Sequence, residues 1–488
     1  MLSGTIRKAR FEFIIAAAVL IILSVTLMKR PITGVADNGD FARIMNSTGL
    51  HHLTAEHEDR YFGYVNRLYG IGHVIPFGGG YISTELPLVI CAIALSKQFS
   101  PSGLFDIRYL GAIYAVLLAA CAYFFVKSSR KQFGAAAIFT ALSFIIIFCD
   151  TGYTSYFNSL YGEPVTFVFI LLMAAMAITI SAVEQPAVWM LLIFGLAAAF
   201  FAGAKVQNIP AGIFSVLLLL RLAAMRKDKA WRRLAFGSAA AVILISVVCY
   251  TNVSRDIRIC NKYQTVFYGI LKNSGDPAGD IEDLGLDPSL AALAGTNYFM
   301  EDYALDIRSA GFKNMIDENV NHYKIAAYYL RHPGRFIEKM GIAAENGFKL
   351  NQGMGNYEKS PGISYKQVSK VFDRWSSFKL GVLPHSLLFV AAFYGTVLLV
   401  LIYEYSRAGN AKMRFLIEFF GFVLITGIIQ FVLPVIGDGE ADLSKHLFLF
   451  NLCFDVLFSA ALVYIAVKAA ALVRWANEKR LSARMQSD

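Results

Sequence analysis

Apolar and polar positions alternate along this chain in long blocks. Apolar runs near twenty residues recur at about 11–28, 106–126, 133–150, 164–183, 187–203, 206–223, 234–253, 380–404, 415–436 and 446–468. Runs of that length suit helices crossing a hydrocarbon core roughly 30 Å thick. The pattern therefore predicts an all-α polytopic membrane protein with a bundle of about ten transmembrane helices. The segment 82–99 departs from it. Between Glu85 and Lys97 its apolar stretch is only "LPLVICAIALS", roughly 16 Å of helix at 1.5 Å per residue. Drawing either charge inward would cost on the order of 3 kcal/mol, so this segment is read as a helix lying at the interface.

Composition fits the same class: of 488 residues 56% are hydrophobic and 16% charged, with a net charge of +10. The basic residues cluster beside apolar runs, in "KSSRK" (127–131), "RLAAMRKDKAWRR" (221–233), "RAGNAKMR" (407–414) and the tail after Lys468. That is the signature of cytoplasmic loops rather than of nucleic-acid binding. Both termini are then expected inside, with 29–105, 151–163, 254–378 and 437–445 outside. If 82–99 crossed, every later segment would invert and the charge bias would oppose the rule. The first run follows Arg7, Lys8 and Arg10 and shows no small-residue cleavage site before Lys29, so it reads as a retained anchor. The six cysteines show neither CxxC nor zinc spacing. Three parts are expected: a membrane core at 1–253, a small, mainly helical outer domain at 254–378, and C-terminal spans with a basic tail at 379–488.

Candidate chemistry gathers in the outside loops. "GVADNGDFARIMNSTGL" sets Asp37 and Asp40 just beyond the first span, with Arg43 close behind. The plain alternative is a turn at Asn38-Gly39 with Asp37 capping the next helix. "DTGYTSYFNSLYGEP" ends with Tyr161 and then Glu163 before Pro164, where a favourable charge–dipole contact would account for the sign alone. Lys205 interrupts two apolar helices in "AKVQN", and could simply snorkel to the headgroups. "GDGEADLSKHLFLFN" adds Asp438, Glu440, Asp442, Lys445 and His446, costly residues so near hydrocarbon. The "HHLTAEHEDR" patch fits no metal-ligand spacing and reads as a solvated loop; no metal site is assigned. No cofactor motif is present, and a divalent cation (Mg2+ or Mn2+) held by outer carboxylates is left open.

One chemistry uses all these parts on one face. Glycosyl transfer from a polyprenyl-phosphate sugar needs a carboxylate to take a proton from the acceptor hydroxyl. It also needs cations or amides to stabilise the departing phosphate, at an interface where the donor's lipid tail remains in the bilayer.

In order along the chain, "ADNGDFARI", "STELPLVICAIALSKQF", "FDIRYLGAIYAVLLAACAYFFVKSSRKQFG", "YGEPVTF" and "AKVQN" resemble the GT-C superfamily of polyprenyl-phosphate-sugar-dependent glycosyltransferases. Hexose transferases of bacterial cell-surface glycan clusters are the nearest likeness, through "DNGDF", "YYLRHPGRF" and "KHLFLFN". Protein O-mannosyltransferases and lipid A aminoarabinose transferases are more distant. The resemblance implies a GT-C-like bundle with juxtamembrane helices in the first outer loop. It implies Asp37 as general base, with Asp40 able to share that role and Glu163 as a second acidic group. Lys205 would approach the donor phosphate, with Lys445, His446 and Arg43 as further phosphate candidates. Glu85, Tyr161, Arg331 and Arg335 are the acceptor candidates, although an amphipathic helix broken at Pro333 explains the arginine segment as well. The expected partners are a polyprenyl-phosphate sugar donor, a glycan or lipid-linked acceptor, and the bilayer. The rival readings are a lipid-linked glycan flippase, for which midplane charges and broken helices would be expected, and an O-antigen-type polymerase or ligase relying on arginines of 254–378. A glycosidase using paired carboxylates has no need of so many spans.

Overall fold

The computed structural model describes residues 2–74, 81–100, 103–351 and 353–485. Side chains of residues 2–10, the Arg7-Lys8-Arg10 cluster among them, lie outside the described residues. The chain is overwhelmingly helical, and eight helices among the described residues are long and apolar enough to cross a membrane. The ten segments expected from hydropathy fit this number because of two details. Arg108–Phe148 is a single 41-residue apolar stretch, broken where Gly134 takes a left-handed φ of +61° that a side chain would oppose. The chain folds back there, so Phe125 and Phe144 face one another at 5.1 Å. Val188–Gly203, at 16 residues, makes another leg that is shorter than a full span.

Contacts at the helix ends show which ends share a level. Arg108 donates to the carbonyl of Met28, while at the far ends of the same two helices Arg130 pairs with Glu12 at 2.9 Å. Arg226 reaches the carbonyl of Pro186 and Lys412 that of Val183 at this second end. At the first end Lys205 meets Glu163, and Gln207 meets Gln430. Glu163–Ser181 is the central helix, with 89% of its most apolar window buried against protein. Leu387–Arg407 is peripheral at 11%, and its Leu388 and Leu399 point outward, as lipid-facing side chains do. The helix starts are written locally. Asp228, Ser386 and Asn410 each accept a backbone N–H in the first turn of the helix they precede, and Pro164 and Pro210 stand where no intrahelical donor is required.

The segment Leu86–Phe99 is a 14-residue helix, too short to cross, as its charges led us to expect. The first loop also carries a small antiparallel sheet, in which Leu50 and His51 pair with Ile71 and Gly70, and Leu68 and Tyr69 with Asp106 and Phe105. Residues 355–358 of the segment expected to be a separate outer domain lie along this loop. Gly34 and Ala36 donate to the carbonyls of Asn356 and Gly355. Glu358 is clasped by Arg30 and Arg67 at 2.9 and 3.0 Å.

A second tie is sealed from solvent. Lys379, on the helix Arg374–Val382, meets Asp455 at 2.7 Å with both side chains 0% exposed. Tyr153 and the Trp375 indole also donate to Asp455, and Lys379 donates to Asn451. This pair fixes the late loop to the last membrane helix, Phe448–Met485.

Candidate functional site

The first end of the bundle gathers most of the candidate residues. Asp37 is buried at 2% exposure. Its Oδ1 accepts the N–H groups of Gly39 at 2.7 Å and Phe41 at 3.1 Å. The carboxylate thus closes the turn that enters the helix Ala42–Thr48. Gly39 sits at φ +103°, a conformation that only glycine takes without strain. The turn chemistry that the sequence suggests is therefore real, but it uses one oxygen only. The other, Oδ2, faces Nε2 of His52 at 3.4 Å. His52 is not part of a solvated loop. Its side chain is 8% exposed and packs between the rings of Tyr61 and Tyr69. Sheet pairing of Leu50 and His51 turns it inward, a signal that the local sequence did not carry.

Asp40 differs. Its side chain is 26% exposed and contacts both Lys445 and Arg43, the latter at 2.8 Å. Burial pushes its carboxyl up, but the Lys445 and Arg43 charges outweigh burial and hold it well below the usual carboxylate range. Lys445 lies 4.6 Å from the centre of the Tyr161 ring. Burial lowers its affinity for a proton, and the Asp40 and Glu163 charges more than restore it, so the ammonium is raised above its ordinary value. The Tyr161 hydroxyl donates to the carbonyl of Ala36 and receives the N–H of Asn38, which pins the acidic turn against the second outer loop.

Glu163 opens its helix with 1% of its side chain exposed and holds Lys205 at 2.7 Å. Lys205 comes this close because residue 162 is glycine. A Cβ there would stand 2.5 Å from the carbonyl of Ala204 and 2.8 Å from Cγ of Lys205. Glu163 Oε2 has no hydrogen-bond partner among the described residues. Glu85 is placed beside the pair because Ser83 and Thr84 donate to the carbonyls of Ala204 and Phe200. Burial raises the Glu85 carboxyl well above its ordinary value, and the Glu163 charge adds to this. Its Oε1 is also unpartnered among the described residues.

His446 sits at the rim, with Nε2 2.9 Å from Asp438 and its carbonyl accepting Gln207. Arg43 lies over the Tyr81 ring, a neighbour the sequence did not single out. Asp37, Asp40, Glu163, Lys205, Lys445, His446, Arg43, Glu85 and Tyr161 are thus brought to one end of the bundle. Arg331 and Arg335 are not among them. Arg331 reaches the carbonyl of Asp283, and Arg335 bridges Glu338 and the carbonyl of Ile270, so both tie helices of the 254–378 region together. Among the described residues no three His, Cys, Asp or Glu side chains come together to hold a metal ion.

Long apolar helices around a charged, partly open cluster at one end define a multi-pass membrane protein with an end-on site. Residues 3–484 match the model for the YfdI N-terminal transmembrane domain, and the chain belongs to that family. Two solved structures from Archaeoglobus fulgidus are similar. One is the archaeal oligosaccharyltransferase AglB in complex with an inhibitory peptide and a dolichol-phosphate, at 12% identity. The other is the oligosaccharyltransferase in the apo form, at 11% identity. Each aligns with 96% of this chain and 52% of its own at a TM-score of 0.40, so the chain spans about half their length. No curated protein matches this chain.

Proposed function

We propose that this protein transfers a hexose from a polyprenyl-phosphate-linked donor to a glycan or lipid-linked acceptor at the outer face of the cell membrane. One observation supports this reading above the others. The acidic turn after the first helix meets two cations, Arg43 and Lys445, and a third, Lys205, is held beside them by Glu163, where the membrane helices end. A phosphate leaving a lipid carrier needs such cations, and its tail needs such a location. Of the two aspartates, Asp37 is the better general base. Asp40 is held ionised by two cations, whereas Oδ2 of Asp37 accepts no backbone N–H among the described residues and faces His52. His52 then serves to orient that carboxylate. Glu163 keeps Lys205 in place and leaves Oε2 for an acceptor hydroxyl.

Reconstituted liposomes test the reading. With a polyprenyl-phosphate hexose and a glycan-lipid fraction, a new glycosidic bond detected by mass spectrometry is the expected outcome. Movement of labelled lipid between leaflets without a new bond would make the protein a flippase instead.

A further inference from the structure

Beside the acidic turn lies a cleft that shares no residue with the cation cluster. It encloses about 540 Å3 of empty space including its open mouth. Val35, two residues before Asp37, forms part of its wall, as do Tyr156 and Met354. Both of the latter touch Tyr161, Tyr156 through its ring at 5.9 Å and Met354 through its sulfur at 3.6 Å. The cleft and the ammonium of Lys445 therefore lie against the same tyrosine. Among the described residues neither lysine nor arginine lines the cleft, and the one carboxylate there, Asp373, accepts the hydroxyl of Ser377.

Two hydroxyls are conspicuous there. Thr151 and Ser155 are each 3% exposed, stand four residues apart and line the cleft. Neither side chain makes a hydrogen bond among the described residues, although Thr154 between them bonds back to the carbonyls of Cys149 and Asp150. Their oxygens are reachable from the cleft, where they are donors and acceptors open to a ligand. Asn351 adds a planar amide that is held in place by donating to Asn356 and accepting the N–H of Gly353, and Tyr156 adds an aromatic ring. Hydroxyls, an amide and a ring set among the apolar walls of Leu350, Val368 and Leu380, with no cation among the described residues, suit the polar edge and apolar face of an uncharged sugar ring and are poorly suited to a phosphate.

We propose that this cleft binds a neutral sugar ring, that of the acceptor, while the cations on the other side of Tyr161 take the phosphate of the donor. The proposal rests on the transfer reading above and adds the acceptor's chemical class and its place.

The test uses the full chain in nanodiscs, with methyl hexopyranosides as the neutral probe in saturation-transfer NMR and a short-chain polyprenyl phosphate as the anionic one. Wild type is expected to bind the hexosides. The Thr151→Val/Ser155→Ala variant should bind them about tenfold more weakly, the scale of one or two lost hydrogen bonds. Ser155→Leu, which fills the cleft, should abolish hexoside binding. Unchanged affinity for polyprenyl phosphate in both variants shows that they are folded. Three results would overturn the proposal: no hexoside binding to wild type, equal binding to Ser155→Leu, or displacement of the hexosides by a polyprenyl-phosphate hexose, which would make the cleft the donor's sugar pocket. Hexoside binding that survives while liposomes form no glycosidic bond would instead sink the transfer reading and leave the cleft standing.

Discussion

The molecule contains two lysine–carboxylate clusters built from similar parts. Lys379 and Asp455 are both 0% exposed, with Tyr153, Trp375 and Asn451 packed around them. Lys445 and Asp40 are 4% and 26% exposed, and Lys205 and Glu163 are 16% and 1%. The first cluster has no opening through which a ligand could enter. The second keeps an open side; each leaves one carboxylate oxygen without a hydrogen-bond partner among the described residues, Oδ1 of Asp455 in the first and Oε2 of Glu163 in the second. A sealed ion pair stabilises only if its geometry is satisfied, since removing charges from water costs several kcal/mol each. An open one keeps part of its hydration and gains access. The difference separates a structural tie from the proposed site, made of the same residue types.

The largest expected effect tests the working site. Asp37→Asn should lower transfer about a thousandfold, within the range for loss of a general base, while its melting temperature stays near that of wild type. Wild-type turnover in that variant would remove Asp37 from the mechanism.

Next comes the contrast itself, read by denaturation of paired variants. Lys379→Met strands Asp455 in the interior and should cost about 3–5 kcal/mol of stability. Much of that loss should return when Asp455→Leu is added. Lys445→Met leaves Asp40 with Arg43 and some water, and should cost only about 2 kcal/mol while turnover falls sharply. Equal losses of stability from the two lysine variants would erase the distinction between the clusters.

The smallest effect sharpens it through pH. Glu85 is a carboxyl whose proton affinity is raised by burial and by Glu163. A group whose pKa is higher folded than unfolded penalises folding progressively as pH rises above the unfolded value, about 4.3 for Glu. Glu85→Gln removes that penalty. Its melting temperature should equal that of wild type in acid and exceed it increasingly towards neutral pH. A constant difference across the range would show that Glu85 is not a buried neutral acid.

Much of this architecture was legible in the sequence, because hydrocarbon imposes a length rule that any apolar run must obey. The short run at 86–99 and the chain reversal at Gly134 both follow from that rule and from glycine's freedom. The convergence of Asp37, Asp40, Glu163, Lys205 and Lys445 could be anticipated because each stands at an end of a helix on the same level. His52 could not. Its inward turn depends on Leu50 and His51 pairing with a strand about twenty residues later, and nothing in "HHLTAEHEDR" distinguishes it from a wet loop. Nor could the sealed pair be seen, since Lys379 and Asp455 are 76 residues apart with no periodicity linking them. Arg331 and Arg335 drew attention through a motif, yet their guanidiniums serve the carbonyls of Asp283 and Ile270.

The hydrogen bonds from Gly34 and Ala36 to Gly355 and Asn356, with Glu358 clasped by Arg30 and Arg67, have a bearing on biosynthesis. The acidic turn leaves the ribosome early, but the segment that braces it is made more than three hundred residues later. A nascent chain halted before that point would carry the aspartates without their scaffold, so the acidic turn can take its final shape only after residue 358 has been made.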